Sequence, residues 1–330
     1  MNNVFTIVGN RPQFMKLDPE LRQVIVHTGQ HYDKNMSEDF FRDLDLPEPD
    51  FNLKCKQPGQ ILDKLMKLFR KEKPSLVLVY GDTYSTFMGA LAASYCGIKV
   101  AHIEAGFRSG NFNMPEEFNR ILTDRISAVR FCFTMEAFRN LNAEGLLDHT
   151  YFFKGDPMFD SMNRFLPIRR LKAYRTYDLV TMHRNFNVDN PERLRSILGV
   201  LGSIKWSFWF PVHPRTAKML IGMKIPQNVK LMKPQSYKKM LSLESNARKI
   251  ITDSGGVSRE AYWMRIPQII LRKETEFNHI ISDGWGKLAW EESEIKSAIE
   301  TFSPDDNCRQ SETVIFGVNK LIREALGKYV

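Results

Sequence analysis

Three acidic residues, Asp82, Glu104 and Glu116, stand where the chain would otherwise be building sheet. The apolar run Leu76 to Tyr80 has the unbroken hydrophobicity of a strand buried on both faces, and Gly81-Asp82-Thr83 follow where it must turn into a helix. Phe87 to Tyr95 has helical apolar spacing and Gly97 stops it. Lys99 to Ile103 is then a second short strand, which delivers Glu104 just before Ala105-Gly106. Open parallel sheets bind ligands at the carboxyl ends of their strands, so two acids delivered there in succession point into the same crevice. Pro115 suits the first turn of a helix, where Glu116 and Glu117 are favoured by the helix dipole. Taken alone, each acid also reads as a cap or a helix opener. Together with the loop Arg108 to Asn113 they point to general acid and base chemistry, because neighbouring carboxylates split their pKa values and leave one protonated and one ionised.

Anion-binding signals flank this stretch. Val4 to Val8 reads as a buried first strand, and Gly9-Asn10-Arg11-Pro12 turns it into a helix carrying Lys16, which brings two cations to a helix N-terminus. In the second half, Asp178 to Thr181 reads as a strand leading to His183, a residue able to stabilise a leaving diphosphate, to shuttle a proton or merely to cap a carbonyl. The run IITDSGGVSRE, Ile250 to Glu260, takes a strand through Ser254, Gly255 and Gly256 into a helix. Ser254 and the helix-start amides suit a phosphate, and the carboxylate of Glu260 suits the hydroxyls of a ribose.

The stretches GDTYSTFMGALAASYCGIKVAHIEAGFRSG and PEEFNR closely resemble motifs of the UDP-N-acetylglucosamine 2-epimerases. TDSGGVSRE and GNRPQFMK resemble further motifs of that family, so the resemblance runs over nearly the whole chain. It implies an α/β protein of GT-B fold, with two Rossmann-like domains whose parallel sheets face a central cleft. The expected boundaries are 1–164, with the terminal helix 313–330 packing back on it, and 165–312, with the linker in Arg164 to Arg175. The implied activity is cofactor-independent, non-hydrolysing inversion at C2 of a UDP-linked 2-acetamido sugar. UDP is eliminated with the C2 proton to give a 2-acetamidoglycal, and proton and UDP then return. By resemblance Asp82, Glu104, Glu116 and His183 are catalytic, with His183 at the leaving group. Arg11, Lys16, Gln235, Ser254, Gly255, Gly256, Glu260 and Arg272 would hold the substrate, Gln235 against the base. The chain departs from the common pattern at Asn10, Gln13, Asp156, Asn185, Phe186, Arg259 and Phe277-Asn278-His279. The common form has an arginine at position 277, so the aromatic must either leave its charge to Arg272 and His279 or accept weaker diphosphate binding. A hydrolysing relative, a GT-B glycosyltransferase and a non-catalytic nucleotide-sugar binder are the alternatives.

Composition fits a globular protein. The 330 residues are 43% hydrophobic and 26% charged, enough for two ordinary domains. The net charge of +9 is spread along the chain with no basic tail, so anionic nucleotide sugars are the expected partners, and nucleic acid is not. No apolar run reaches the length of a membrane span, and MNNVFTIVG reads as a first strand, not a signal peptide. Cys55, Cys96, Cys132 and Cys308 are scattered with no C-x-x-C pair, implying structural thiols and no metal cage. A cytoplasmic homodimer is expected.

Overall fold

The computed structural model describes residues 3–29, 45–166, 176–311 and 316–330. The chain divides into two compact units, Met1–Ser161 with Thr313–Val330, and Met162–Glu312.

The first unit is built on a seven-stranded sheet ordered β3-β2-β1-β4-β5-β6-β7, parallel throughout. Its strands are β1 Val4–Val8, β2 Gln23–His27, β3 Phe51–Asn52, β4 Leu76–Tyr80, β5 Lys99–Ile103, β6 Val129–Cys132 and β7 Thr150–Phe152. Every residue of β1 and β4 is buried, as their predominantly apolar runs, broken only by Thr6 in β1, require when helices cover both faces. The helix Pro58–Glu72 has no counterpart among the elements predicted from the sequence. It opens on a proline, buries Ile61, Leu65 and Phe69 at successive turns and ends at left-handed Lys73. The helix expected from Phe87 begins earlier, at Tyr84, because the side chains of Thr83 and Thr86 cap each other's backbone N–H. The first helix ends at Phe14, so Lys16 lies beyond it in a turn rather than on the helix.

The terminal helix Val318–Leu326 belongs to the first unit. Asp160 accepts the N–H groups of Gly317 and Asn319 at 2.8 Å each, and Arg323 pairs with Asp18 and Glu20. The start of that helix expected at 313 and the linker residues 167–175 lie outside the described residues.

The second unit holds a six-stranded parallel sheet ordered β10-β9-β8-β11-β12-β13. The strands are β8 Asp178–Thr181, β9 Phe208–Pro211, β10 Val229–Met232, β11 Ile250–Thr252, β12 Gln268–Ile270 and β13 Gly286–Leu288. The helix Pro191–Ser203 packs Leu194, Ile197, Leu198 and Leu201 into a core with Val180, Phe208, Phe210, Ile251 and Ile269. In both sheets the strand order reverses once, between β1 and β4 and between β8 and β11. Such reversal points leave a gap between diverging connections, the usual ligand position of a doubly wound sheet.

Candidate functional site

In the first unit the reversal point receives the turns after β1 and β4, with the turn after β5 beside them. Glu104 follows β5 directly with φ of +74°, a left-handed conformation rare and strained for a residue with a side chain. The strain turns its carboxylate back toward β4: a Cβ on Gly81 would meet Glu104 Oε2 at 3.2 Å. Glu104 is 8% exposed and ion-paired with the buried Lys16. Asp82, next along from Gly81, pairs with Arg120, and its backbone carbonyl accepts Asn119 Nδ2 at 2.9 Å. The two acids thus stand on adjacent strand ends, each with its own cation.

The helix Pro115–Ile126 holds this arrangement through a buried polar stripe. Glu117, Arg120 and Asp124 recur at three- and four-residue spacing where an apolar face would be ordinary. Glu117 accepts the N–H groups of Ser109 at 2.9 Å and Gly110 at 3.0 Å, the Ser109 hydroxyl at 2.8 Å and Arg120 Nη1 at 2.9 Å. Burial raises its pKa, but these hydrogen bonds and the Arg120 charge outweigh that and hold it below the ordinary value. Asp124 is fully buried, 2.7 Å from His102 Nδ1, 2.8 Å from Arg108 Nη1 and 3.0 Å from the Gly106 N–H it accepts. Its pKa is likewise depressed, since His102 and Arg108 overcome the effect of burial. His102 Nε2 lies 2.7 Å from the Gly81 carbonyl. One carboxylate therefore holds the turn after Glu104 directly and the turn before Asp82 through an imidazole.

Glu116 is half-buried one turn before Arg120, and its side chain makes no hydrogen bond or ion pair among the described residues. Arg11 opens the first helix, in the turn after β1. Gln13, where the common motif has an acid, donates from Nε2 to the Tyr80 carbonyl at 2.8 Å and accepts the Gly9 N–H at 2.7 Å. It ties the ends of β1 and β4 together, and the donor half of that bridge requires an amide.

At the reversal point of the second unit, Ser254 caps the helix Gly255–Trp263, with its hydroxyl 3.5 Å from the Val257 N–H. Gly255 and Gly256 form the first turn. Gly255 is pressed against its neighbours, since a Cβ there would sit 3.1 Å from the Phe277 ring and 3.3 Å from Glu276 Oε1. His183 follows β8, its side chain 35% exposed, with its ring 5.4 Å from that of His213. Glu260 is buried and accepts the Tyr237 hydroxyl at 2.7 Å. Gln235 stands apart after β10, its amide folded onto the Lys233 carbonyl at 2.6 Å.

Arg272 is 2.8 Å from Glu276, whose pKa its charge depresses against the effect of burial. His279 does not supply a second cation: burial, then the nearby Arg259, lower its pKa to about 4, so it is neutral at neutral pH. Arg259 and Phe277, two departures read separately in the sequence, are neighbours, with the guanidinium 5.3 Å over the ring.

Sequence reasoning thus located the acids and the glycine turn but missed Asn119, Arg120, His102 and Asp124, which hold them. For Asn119, Arg120 and Asp124 the signal was present as the run of polar residues at helical spacing from Glu117 to Asp124, whereas His102 on β5 carried none.

The chain is similar to known proteins over most of its length. The family model for UDP-N-acetylglucosamine 2-epimerase matches residues 14–320. A UDP-N-acetylglucosamine 2-epimerase homolog of Methanococcus maripaludis is 43% identical over 91% of this chain and 92% of its own length. The UDP-2,3-diacetamido-2,3-dideoxy-D-glucuronate 2-epimerase of Pseudomonas aeruginosa is 40% identical over 85% and 86%. The crystal structure of the Methanocaldococcus jannaschii UDP-GlcNAc 2-epimerase in complex with UDP-GlcNAc and UDP superposes with a TM-score of 0.87 at 34% identity, covering 98% of this chain and 99% of that one. With two parallel-sheet α/β domains, a family model matched from residue 14 to residue 320 and a relative 43% identical over 91% of this chain, the protein belongs to the UDP-N-acetylglucosamine 2-epimerase family.

Proposed function

We propose that the protein inverts C2 of a UDP-linked 2-acetamido sugar, interconverting UDP-N-acetylglucosamine, or a close derivative, with its manno epimer. The C2 hydrogen is not adjacent to a carbonyl, so direct deprotonation is hard. Elimination avoids this: a base takes the C2 proton, the C2–H electrons form the C1=C2 bond, and the C1–O bond breaks with its electrons on UDP. A proton then returns to the other face of C2 as a UDP oxygen rejoins C1, so nothing is consumed.

The observation that carries this reading is the pair of strand-end acids, Glu104 held by Lys16 and Asp82 held by Arg120. Proton transfer on two faces requires two acid/base groups with different surroundings. Here one acid is buried and the other is about one-third exposed. Glu116 is the third candidate for this work. In the second domain, Ser254, Gly255, Gly256 and Glu260 would take the diphosphate and ribose, with Gln235 at the base. His183, Arg272, Arg11 and Lys16 would stabilise charge on the departing UDP. Incubation with UDP-N-acetylglucosamine in heavy water tests the proposal. Deuterium at C2 in both epimers, with no free sugar released, is expected. Free N-acetylmannosamine and UDP would instead identify a hydrolysing enzyme, and absence of exchange would reject elimination.

A homodimer is proposed as the working assembly. The first domain exposes Tyr84 and Tyr95 on one helix and Phe118 and Leu122 on its neighbour, with Phe112 against Phe118. That helix, Tyr84–Tyr95, is apolar around its circumference, as in a buried element. Sedimentation should give twice the mass of one chain, and Leu122→Lys should shift it toward one. Among the described residues no helix is long and apolar enough to cross a membrane. The four free cysteines support placing the protein in the reducing cytoplasm.

A further inference from the structure

Asp253 lies between the phosphate-type loop and His183, and the functions proposed above leave it unused. It follows β11 and is fully buried. Its carboxylate accepts three N–H groups from the segment after β8. The His183 N–H lies 3.0 Å from Oδ1 and 3.2 Å from Oδ2, and the Arg184 N–H and Asn187 Nδ2 are each 3.1 Å from Oδ2. Asn187 continues the chain of bonds by donating to the Leu271 carbonyl at 2.9 Å, and so reaches the end of β12. An isolated buried carboxylate is costly, and this one is offset by donors drawn from the segment that carries the histidine. The imidazole itself stands with Nδ1 3.6 Å from Oδ1. That is too long for a full hydrogen bond, but a carboxylate at this range favours a proton on the nitrogen that faces it.

We propose that Asp253 is the positioning residue of His183. It fixes the turn on which the imidazole stands and keeps the protonated Nδ1 edge toward itself, so that Nε2 is the edge offered to the departing diphosphate. This rests on the assignment of His183 to the leaving group. His213, whose ring stands 5.4 Å away, uses its Nδ1 to accept the Arg215 N–H at 3.2 Å, and Arg184 is the next residue along the chain. Neither supplies a negative charge.

The test is a double-mutant cycle on UDP-N-acetylglucosamine turnover, read together with the ring nitrogens. Asp253→Asn keeps the size of the side chain but leaves one acceptor oxygen among several donors. It should lower kcat by about 10- to 100-fold, the usual cost of losing the partner that orients an active histidine, while changing KM only a few-fold. In a His183→Ala background the same substitution should cost almost nothing, because a residue acting through His183 has nothing left to act on. Equal losses in both backgrounds, or a rise in KM with unchanged kcat, would overturn the proposal. Long-range proton–nitrogen NMR of the wild-type protein, with the His183 signal assigned by its loss in His183→Ala, gives an independent reading. A ring protonated on Nδ1, alone or on both nitrogens, is expected, and a neutral ring protonated only on Nε2 refutes the idea. This second reading holds if Asp253→Asn fails to fold. It also separates the proposal from the activity, since a wild type that does not epimerise UDP-N-acetylglucosamine still reports its ring tautomer.

Discussion

The two sheets use a buried aspartate in the same way, yet set up different chemistry with it. In the first domain Asp124 reaches the strand ends from a flanking helix, and its partners include the side chains of His102 and Arg108. The acids it helps to seat, Asp82 and Glu104, are each matched to a cation. In the second domain Asp253 stands at a strand end itself, and the groups hydrogen-bonded to it are two backbone N–H groups and an amide. Around it are a helix N-terminus, a histidine and a capping serine. The first arrangement holds carboxylates in defined surroundings, which is what proton transfer needs. The second gathers donors, which is what a diphosphate needs. A parallel sheet supplies only the reversal point, and the sign of the groups placed there sets the task.

The sharpest way to break this contrast is Glu104→Gln. If the first domain transfers protons, losing its buried acid should lower epimerisation by about 10²- to 10⁴-fold, while UDP affinity, assigned chiefly to the second domain, stays close to wild type. The amide can still accept from Lys16, so the fold should survive. Near-normal turnover, or a matching loss of UDP affinity measured by calorimetry, would dissolve the division of labour.

Next in size is a stability effect confined to the first domain. Glu117→Gln removes the charge that pairs with Arg120 and one of the oxygens that holds the Ser109-Gly110 loop. The expected cost at neutral pH is about 3 kcal/mol, the upper range for hydrogen bonds to a charged group. The sign with pH follows from the depressed pKa of Glu117 in the folded protein. Its stabilisation is present above the unfolded value of about 4.3 and is lost as pH falls through the lower folded value. Melting temperatures of wild type and variant should therefore lie far apart at neutral pH and converge in acid. A constant gap would show that the charge is not what Glu117 contributes.

How far the sequence reached differs between the two regions for a physical reason. Strand-end acids and the Ser254-Gly255-Gly256 turn are local: a run of apolar residues, a turn and a functional group occur together in the chain. The paired partners are not. Arg120 meets Asp82 across 38 positions, and Tyr237 meets Glu260 across 23. Nothing in local spacing states such a pairing, because it is made by the packing of a helix against strand ends. Lys16 shows the same limit at short range. Its helix ends after four residues, and only the turn that follows brings its ammonium to Glu104.

The second domain is probed by Ser254→Ala. Its hydroxyl caps the helix and is a candidate phosphate donor, and loss of a bond to a charged phosphate should cost about 1.5 kcal/mol, or tenfold in UDP affinity. Tyr237→Phe should produce a smaller loss by releasing Glu260 from its hydroxyl partner. Calorimetry with UDP measures both. Unchanged affinity in Ser254→Ala and Tyr237→Phe together would move the nucleotide away from this loop.

The smallest expected effect concerns Phe277, which stands where the common family motif has an arginine. Phe277 is 8% exposed, lies against Gly255 and sits under the Arg259 guanidinium. An arginine at 277 would bring a second positive charge against Arg259 in a buried place, with His279 held neutral and Glu276 already paired to Arg272. Phe277→Arg should therefore lower the melting temperature without tightening UDP binding. Phe277→Leu separates the ring from its bulk. It keeps an apolar side chain under the glycine turn but removes the aromatic face, so it should cost about 1 kcal/mol, the scale of a partly desolvated cation–π contact. UDP affinity should change little if the ring serves Arg259 and not the nucleotide. A tenfold loss of UDP affinity in Phe277→Leu, with an unchanged melting temperature, would instead make the ring part of the nucleotide site. The second domain would then bind its anion with an aromatic surface as well as with N–H donors.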